Sequence, residues 1–202
     1  MPDSKGICVN KNWAVWFTGL PGCGKSTIAD GLLNEMRKDG LDPVLLRLDE
    51  RRKLYIPNPE YTHDERRRVY HLFVQDAVAI MQSGRSVIMD GTGHKLCFRR
   101  EARDKIEFFA EVHLKCPVNM AMKRESGRQQ GLVMSGLYAK ALERQKTGKV
   151  FKDLGEVIGV DVKFEADPDA ECCVDTAEKT LEDVLREVII CLKKWRNLNG
   201  IC

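Results

Sequence analysis

The chain of 202 residues contains no run approaching the ~18 apolar residues that a membrane span needs, and its opening Met-Pro-Asp-Ser-Lys-Gly lacks the apolar centre of a secretory signal. We therefore expect a cytoplasmic protein that crosses no membrane. No Pro/Ser/Gly-rich linker and no internal repeat divides the sequence, and its length suffices for one sizeable core, so a single domain over residues 1–202 is expected. The eight cysteines (Cys8, Cys23, Cys97, Cys116, Cys172, Cys173, Cys191, Cys202) form no Cys-x-x-Cys pair and no His/Cys spacing suited to zinc. A chain this long does not need covalent staples, and free thiols are expected. The Asn-Lys-x-Asp guanine signature of switch proteins is missing too, and no extended arm is left over for a motor.

Charge is plentiful but nearly balanced, at +3 net. Its distribution says more than the total. Arg47, Arg51, Arg52, Lys53, Arg66, Arg67 and Arg68 crowd one stretch, and Lys95, Arg99, Arg100, Arg103 and Lys105 another, while the chain is acidic from Asp153 onward. Planar guanidinium groups grip oxyanions in a bidentate manner, so clustered arginines suit an anionic small substrate, although any one of them can equally be a solvated helix-surface residue. Nucleic acid is an alternative partner that this pattern does not demand.

Residues Gly19-Leu20-Pro21-Gly22-Cys23-Gly24-Lys25-Ser26-Thr27 form a G-x-x-x-x-G-K-[ST] phosphate loop directly after the apolar run 13–18. Such a loop needs a strand before it and a helix after it to aim backbone N–H groups at a polyphosphate. Gly19, Gly22 and Gly24 allow close backbone approach, Lys25 can reach the β- and γ-phosphates, and the Ser26 hydroxyl can ligate Mg²⁺. ATP and Mg²⁺ are the expected cofactors. Cys23 lies near a helix N-terminus, where a thiol pKa can fall, so oxidation could block the loop; a passive small residue is the plainer reading.

Apolar runs place further strands at 43–48, 86–89, 108–115 and 172–175, alternating with helical patterns at 27–38, 62–82, 95–106 and a C-terminal stripe from Leu181 to Trp195. Thr62-His-Asp-Glu65 reads as a capping box, and Pro117 as the first-turn proline of a short helix. The alternation implies an α/β, three-layer P-loop kinase-like fold: a five-stranded parallel sheet with helices on both faces. Residues 125–164, rich in glycine and lysine with a helical section near 137–146, are expected to be a mobile lid that excludes water.

Motors, switches and kinases all use a P-loop, so the other strand edges decide. Asp49 and Arg52 come after the second strand; a carboxylate there can hold Mg²⁺ through water or accept a proton from an attacking hydroxyl, and the arginine can orient an anionic acceptor. The plain alternative for Asp49 is a helix N-cap. Asp90 comes after the third strand, with a Walker-B-like metal role, a contact to the substrate hydroxyl and a turn-forming Asp-Gly all open. Kinase is the economical reading.

These residues resemble the adenylylsulfate kinase family over nearly the full length. Trp16 to Thr27 is similar to that family's first strand and P-loop, Asp49 with Arg52 to its Asp-x-x-Arg, and Arg66 to a substrate arginine in the following helix. Arg124-Glu125 resembles its Arg-Asp at the lid entrance, Gly136-Leu-Tyr-Ala-Lys140 its Gly-Leu-Tyr-Lys lid motif, and Gly159 to Glu165 its Gly-Ile-Asp-x-x-Tyr-Glu segment. The resemblance implies phosphorylation of the 3′-hydroxyl of adenosine 5′-phosphosulfate by Mg·ATP in sulfate assimilation, and a homodimer. It implies catalytic Lys25 and Asp49, a nucleotide contact at Arg124 to the adenine or the phosphates, acceptor contacts from Asp49, Arg52 and Arg66, and entry of Lys140 and Arg144 on lid closure; Asp90, from its place after the third strand, is a further candidate acceptor contact.

The departures bear on the acceptor. The family's Arg-x-x-Asn-x-x-Arg is here Arg66-Arg-Arg-Val69-Tyr-His71-Leu72, its Ile-Ser-Pro is Asp90-Gly-Thr-Gly-His94, and residues 126–135 enlarge the lid entrance. A buried hydrogen bond left unmade costs about 1–3 kcal/mol, enough to change the preferred acceptor. Kinases of polynucleotide 5′-hydroxyls, sugars or modified nucleotides are therefore alternatives, as is a P-loop module that binds nucleotide without catalysis.

Overall fold

Strands buried on both faces read as continuous apolar runs, and here those runs pair side by side. The computed structural model describes residues 11–59, 62–127, 136–151 and 154–201. Strands β1 (Ala14–Thr18), β2 (Val44–Arg47), β3 (Val87–Asp90), β4 (Phe109–Lys115) and β5 (Cys172–Asp175) form one parallel sheet of order β2-β3-β1-β4-β5. The register sets Phe17 beside Asp90 and Arg47 beside Asp90, so the C-terminal ends of β1, β2 and β3 share one edge. Open parallel sheets bind ligands at such an edge.

Seven helices accompany the strands among the described residues: α1 (Lys25–Lys38), α2 (Leu48–Tyr55), α3 (His63–Gln82), α4 (Leu96–Lys105), α5 (Val118–Ser126), α6 (Leu137–Thr147) and α7 (Leu181–Leu198). Alternate residues of β1 serve opposite faces, as a period of two requires. Val15 and Phe17 pack with Ile28, Leu32, Val188 and Leu192 of α1 and α7, whereas Ala14 and Trp16 pack with Tyr70, Phe73, Phe98 and Ala102 of α3 and α4. A third cluster joins Leu137, Tyr138 and Ala141 of α6 to Leu20, Ala121, Val157 and Ile158, which seats the expected lid on the P-loop and α5. The Thr62 cap is as expected: its hydroxyl accepts from the Glu65 N–H at 3.2 Å. None of the described helices is long and apolar enough to cross a membrane.

The structure corrects several sequence expectations. Leu48 and Asp49 lie in the first turn of α2 and not at the end of a strand, because the chain turns into helix directly after Arg47; acidic Asp49 and Glu50 there suit the positive end of the helix dipole. Pro117 is the N-cap of α5 rather than a first-turn residue. Cys172 and Cys191 form a disulfide between β5 and α7, overturning the expectation of free thiols at these two positions, while Cys23, Cys97, Cys116 and Cys173 are free. Their spacing in sequence carries no signal; helix α7 packing against β5 brings them together. Cys8, Cys202 and the enlarged lid entrance at 128–135 lie outside the described residues.

One buried ion pair ties these layers together. Arg99 on α4 and Glu111 on β4 are both fully buried and meet at 2.8 Å. The Thr18 hydroxyl donates to the same carboxylate at 2.6 Å, and Arg99 also donates to the carbonyls of Gly93 and Glu165. Removing one member strands a buried charge, which costs about 3–5 kcal/mol, whereas apolar replacement of both is far milder. Urea unfolding should therefore register a loss of that size for Arg99→Met and recovery of most of it in Arg99→Met/Glu111→Leu. Equal stability of Arg99→Met and the unaltered protein would contradict this account.

Candidate active site

The loop after β1 is shaped by contacts that exclude side chains. A Cβ on Gly19, at φ 134°, would lie 2.5 Å from the Leu114 carbonyl oxygen, and one on Gly22, at φ 85°, only 2.4 Å from that of Ala121. Gly24 caps α1 in a left-handed conformation, which leaves the first-turn N–H groups of α1 facing the loop. The buried Lys25 ammonium donates to the Gly19 and Leu20 carbonyls at 3.0 and 2.9 Å.

A small polar cleft of about 170 Å³ opens over this loop, lined by Lys25, Ser26, Arg47, Asp49 and Asp90. The Arg47 guanidinium stands 3.7 Å from the Asp90 carboxylate. Burial pushes the Asp90 carboxyl up, and nearby Asp49 adds to this, while Lys25, the neighbouring Ser26 hydroxyl and Arg47 pull it down. Among the described residues no group of three or more His, Cys, Asp or Glu side chains could cage a metal. The donors fit Mg²⁺ in its usual role with nucleotides: one hydroxyl and one or two carboxylates complete a shell made mainly of phosphate oxygens and water.

A second cleft, about 280 Å³, runs along the other side of the loop between Gly22, Cys23, Gly24, Thr27, Arg124, Thr176 and Val184. Arg124 is held flat there, donating through Nη1 to the Thr176 hydroxyl at 3.1 Å and through Nη2 to its carbonyl at 2.6 Å. A guanidinium fixed in this way offers a planar face for stacking a base. Cys23 is fully buried, and burial pushes its thiol up, which agrees with the plainer reading of a passive small residue.

The third cleft, about 270 Å³, lies between α2, α3 and the lid segment 154–158. Leu48, Ile56, Val157 and Ile158 give it apolar walls; Arg52, Lys53 and Arg66 are its cations. Arg66 is 8% exposed and donates through Nη2 to the Glu156 carbonyl at 3.0 Å, while its buried Nη1 has no partner among the described residues. Burial pushes this guanidinium down, and neighbouring Arg52 adds like-charge repulsion. A buried donor with nothing to bind, beside a second cation, calls for an anion. Asp49 and Thr92 line both this cleft and the polar one over the loop, so Asp49 stands where the two meet.

Lys25, Ser26, Asp49 and Asp90 thus come together, with Arg52 and Arg66 on one side and Thr27 and Arg124 on the other. Leu20 turns into the lid cluster, and Pro21 lines the polar and acceptor-side clefts. Lys140 is not brought in: it is exposed on α6 and lines none of the three clefts. Arg144 donates to the carbonyls of Leu154 and Gly155 and to Asp161 at 2.6 Å, so it braces the lid and does not reach toward the loop. Val69 is buried in the core and His71 bonds Glu101 at 2.6 Å on the outer side, so neither departure from the family lines the acceptor-side cleft. Sequence reasoning missed Tyr70 in the third cleft and Thr176 and Lys179 in the second; Arg47 stood out only as one of many arginines.

Comparison with known proteins agrees with this geometry. The pattern of the family described as adenylylsulphate kinase matches residues 11–175. A probable adenylyl-sulfate kinase of Archaeoglobus fulgidus is 32% identical over 166 residues, covering 82% of this chain and 96% of the relative. The adenylyl-sulfate kinase of Staphylococcus epidermidis is 26% identical over 187 residues, covering 92% and 86%. Among solved structures, the APS kinase CysC of Mycobacterium tuberculosis in complex with AMPPNP and APS superimposes with a TM-score of 0.74 at 20% identity, covering 92% of this chain and 99% of that one, a likeness of fold.

The geometry separates two roles that mutation can test. Lys25→Ala is expected to abolish phosphoryl transfer. Asp49→Asn is expected to lower turnover by about 10²-fold or more, the ordinary worth of a positioned general base, with ATP binding retained. Rates near that of the unaltered protein in both variants would refute the site.

Proposed function

The chain belongs to the adenylylsulphate kinase family, whose members are phosphotransferases acting on a hydroxyl, and we propose that it transfers the γ-phosphate of ATP to the 3′-hydroxyl of adenosine 5′-phosphosulfate. The observation that carries this reading is the position of Asp49 at the junction of a phosphate cleft and a cation-bearing acceptor cleft.

In this reading ATP lies with its triphosphate along the loop from Gly19 to Thr27 and its base against Arg124, Leu181 and Val184. Lys25 leaves the Gly19 and Leu20 carbonyls for the β- and γ-phosphates, exchanging two neutral acceptors for charged ones. Ser26 and Asp90 are the residues that would hold Mg²⁺, which when bound would supply neutralisation of the charge that builds on the transferring group. The acceptor enters between α3 and the lid, its base against the apolar walls and its phosphosulfate on Arg52 and Arg66. Asp49 orients the 3′-hydroxyl and takes its proton as the new O–P bond forms and the bond from the γ-phosphorus to the bridging oxygen of ADP breaks. The products are ADP and 3′-phosphoadenosine 5′-phosphosulfate. Closure of the lid over both clefts excludes water and limits ATP hydrolysis.

The test is ADP release by the purified protein with Mg·ATP, comparing adenylylsulfate, gluconate, a 5′-hydroxyl oligonucleotide and no acceptor. Release stimulated by adenylylsulfate alone, with a 3′-phosphorylated product, is the expected outcome. Stimulation by another acceptor instead would overturn the substrate assignment while leaving a kinase, and no stimulation by any of them would favour a nucleotide-binding module.

A further inference from the structure

Two of the segments where the sequence departs from the family, 66–72 and 90–94, meet at the side chain of Tyr70. Tyr70 is 2% exposed, and it lines the acceptor-side cleft. Its ring stacks on Phe98 with centroids 4.3 Å apart and planes 15° from parallel, and it leans against Trp16 at 6.1 Å, so the ring cannot swing away. Its phenolic oxygen accepts the Gly93 N–H at 3.0 Å, which ties α3 to the loop that follows β3.

That bond uses only the acceptor side of the hydroxyl. A phenol also carries a proton to donate, and a buried one ordinarily finds a partner. Among the described residues none takes the Tyr70 proton. Burial pushes the phenol up from its ordinary value, so the proton stays on it at neutral pH; Arg52 and Arg66 lie near enough to pull the other way. Arg66 likewise has an unspent donor, its buried Nη1. A neutral hydroxyl proton and a guanidinium N–H, both unspent and both in the wall of one cleft, are complementary to a group with several anionic oxygens.

We propose that Tyr70 is a specificity-determining residue whose hydroxyl donates to an oxygen of the acceptor's anionic group beside Arg66. The proposal rests on the adenylylsulfate reading above and deepens it. Because the same oxygen accepts the Gly93 N–H, the acceptor-side wall of α3 and the loop after β3 meet at one residue.

The experiment is steady-state kinetics of the unaltered protein and Tyr70→Phe, which keeps the stack on Phe98 and removes only the hydroxyl. The expected result is an increase of roughly 10–150-fold in KM for adenylylsulfate, the range spanned by one lost hydrogen bond to a charged group, with kcat and the KM for ATP within about two-fold. An unchanged KM for adenylylsulfate would overturn the proposal. So would kcat and the KM for ATP shifting as far as the acceptor KM, since that pattern marks a residue that merely holds the Gly93 loop. Failure of the unaltered protein to turn over adenylylsulfate would sink the functional reading and this inference together; an active protein with an indifferent Tyr70→Phe variant would sink the inference alone.

Discussion

The pairing of Phe17 and Arg47 with Asp90 across three parallel strands is the constraint on which the site depends. Parallel register brings three strand ends to one edge, and each end leads into a different element: a glycine loop and helix after β1, the first turn of α2 after β2, and Asp90 itself closing β3. A slip of one residue in β3 would turn Asp90 away from Ser26 and toward the opposite face. The glycine loop, Asp49 and Asp90 are therefore brought to one edge by backbone pairing rather than by long side chains reaching inward.

The acceptor side depends on a different kind of constraint. Its walls are drawn from α2, α3 and the segment 154–158, which share no hydrogen-bonded ladder. Polar ties hold them instead: Arg66 to the Glu156 carbonyl, Arg144 to those of Leu154 and Gly155, and Arg99 to those of Gly93 and Glu165. The Arg99–Glu111 pair anchors the last of these to the central sheet. Three arginines thus spend donors on lid and loop carbonyls.

Much of this was legible in the sequence because its signals are local. The P-loop is a spacing of glycines and a lysine whose geometry leaves little choice, and the parallel strands announce themselves as apolar runs next to turn residues. Asp49 was legible as a site residue but not as a helical one, since the apolar run from Val44 continues to Leu48 and hides the point where helix begins. Arg124 stood out at the lid entrance in the sequence, whereas the reason for its orientation, Thr176, lies 52 residues away. Lys140 shows the opposite: the motif match gives it a role, but α6 leaves its side chain exposed and away from the clefts. Tyr70 was hidden for a physical reason. Periodicity identifies which residues of α3 are buried, and it says nothing of where a buried hydroxyl sends its proton. The Cys172–Cys191 link was hidden likewise, because only packing of α7 on β5 sets that distance.

The central claim is that Asp49 joins two substrate clefts so that an acceptor hydroxyl faces the γ-phosphate. A crystal structure with magnesium, a non-hydrolysable ATP analogue and adenylylsulfate tests it most directly. The account predicts the acceptor between α3 and residues 154–158, with its 3′-oxygen within hydrogen-bond reach of Asp49 and roughly 3–3.5 Å from the γ-phosphorus, a near-attack separation. An acceptor bound elsewhere, or one whose 3′-hydroxyl faces away from Asp49 with both substrates in place, would contradict it.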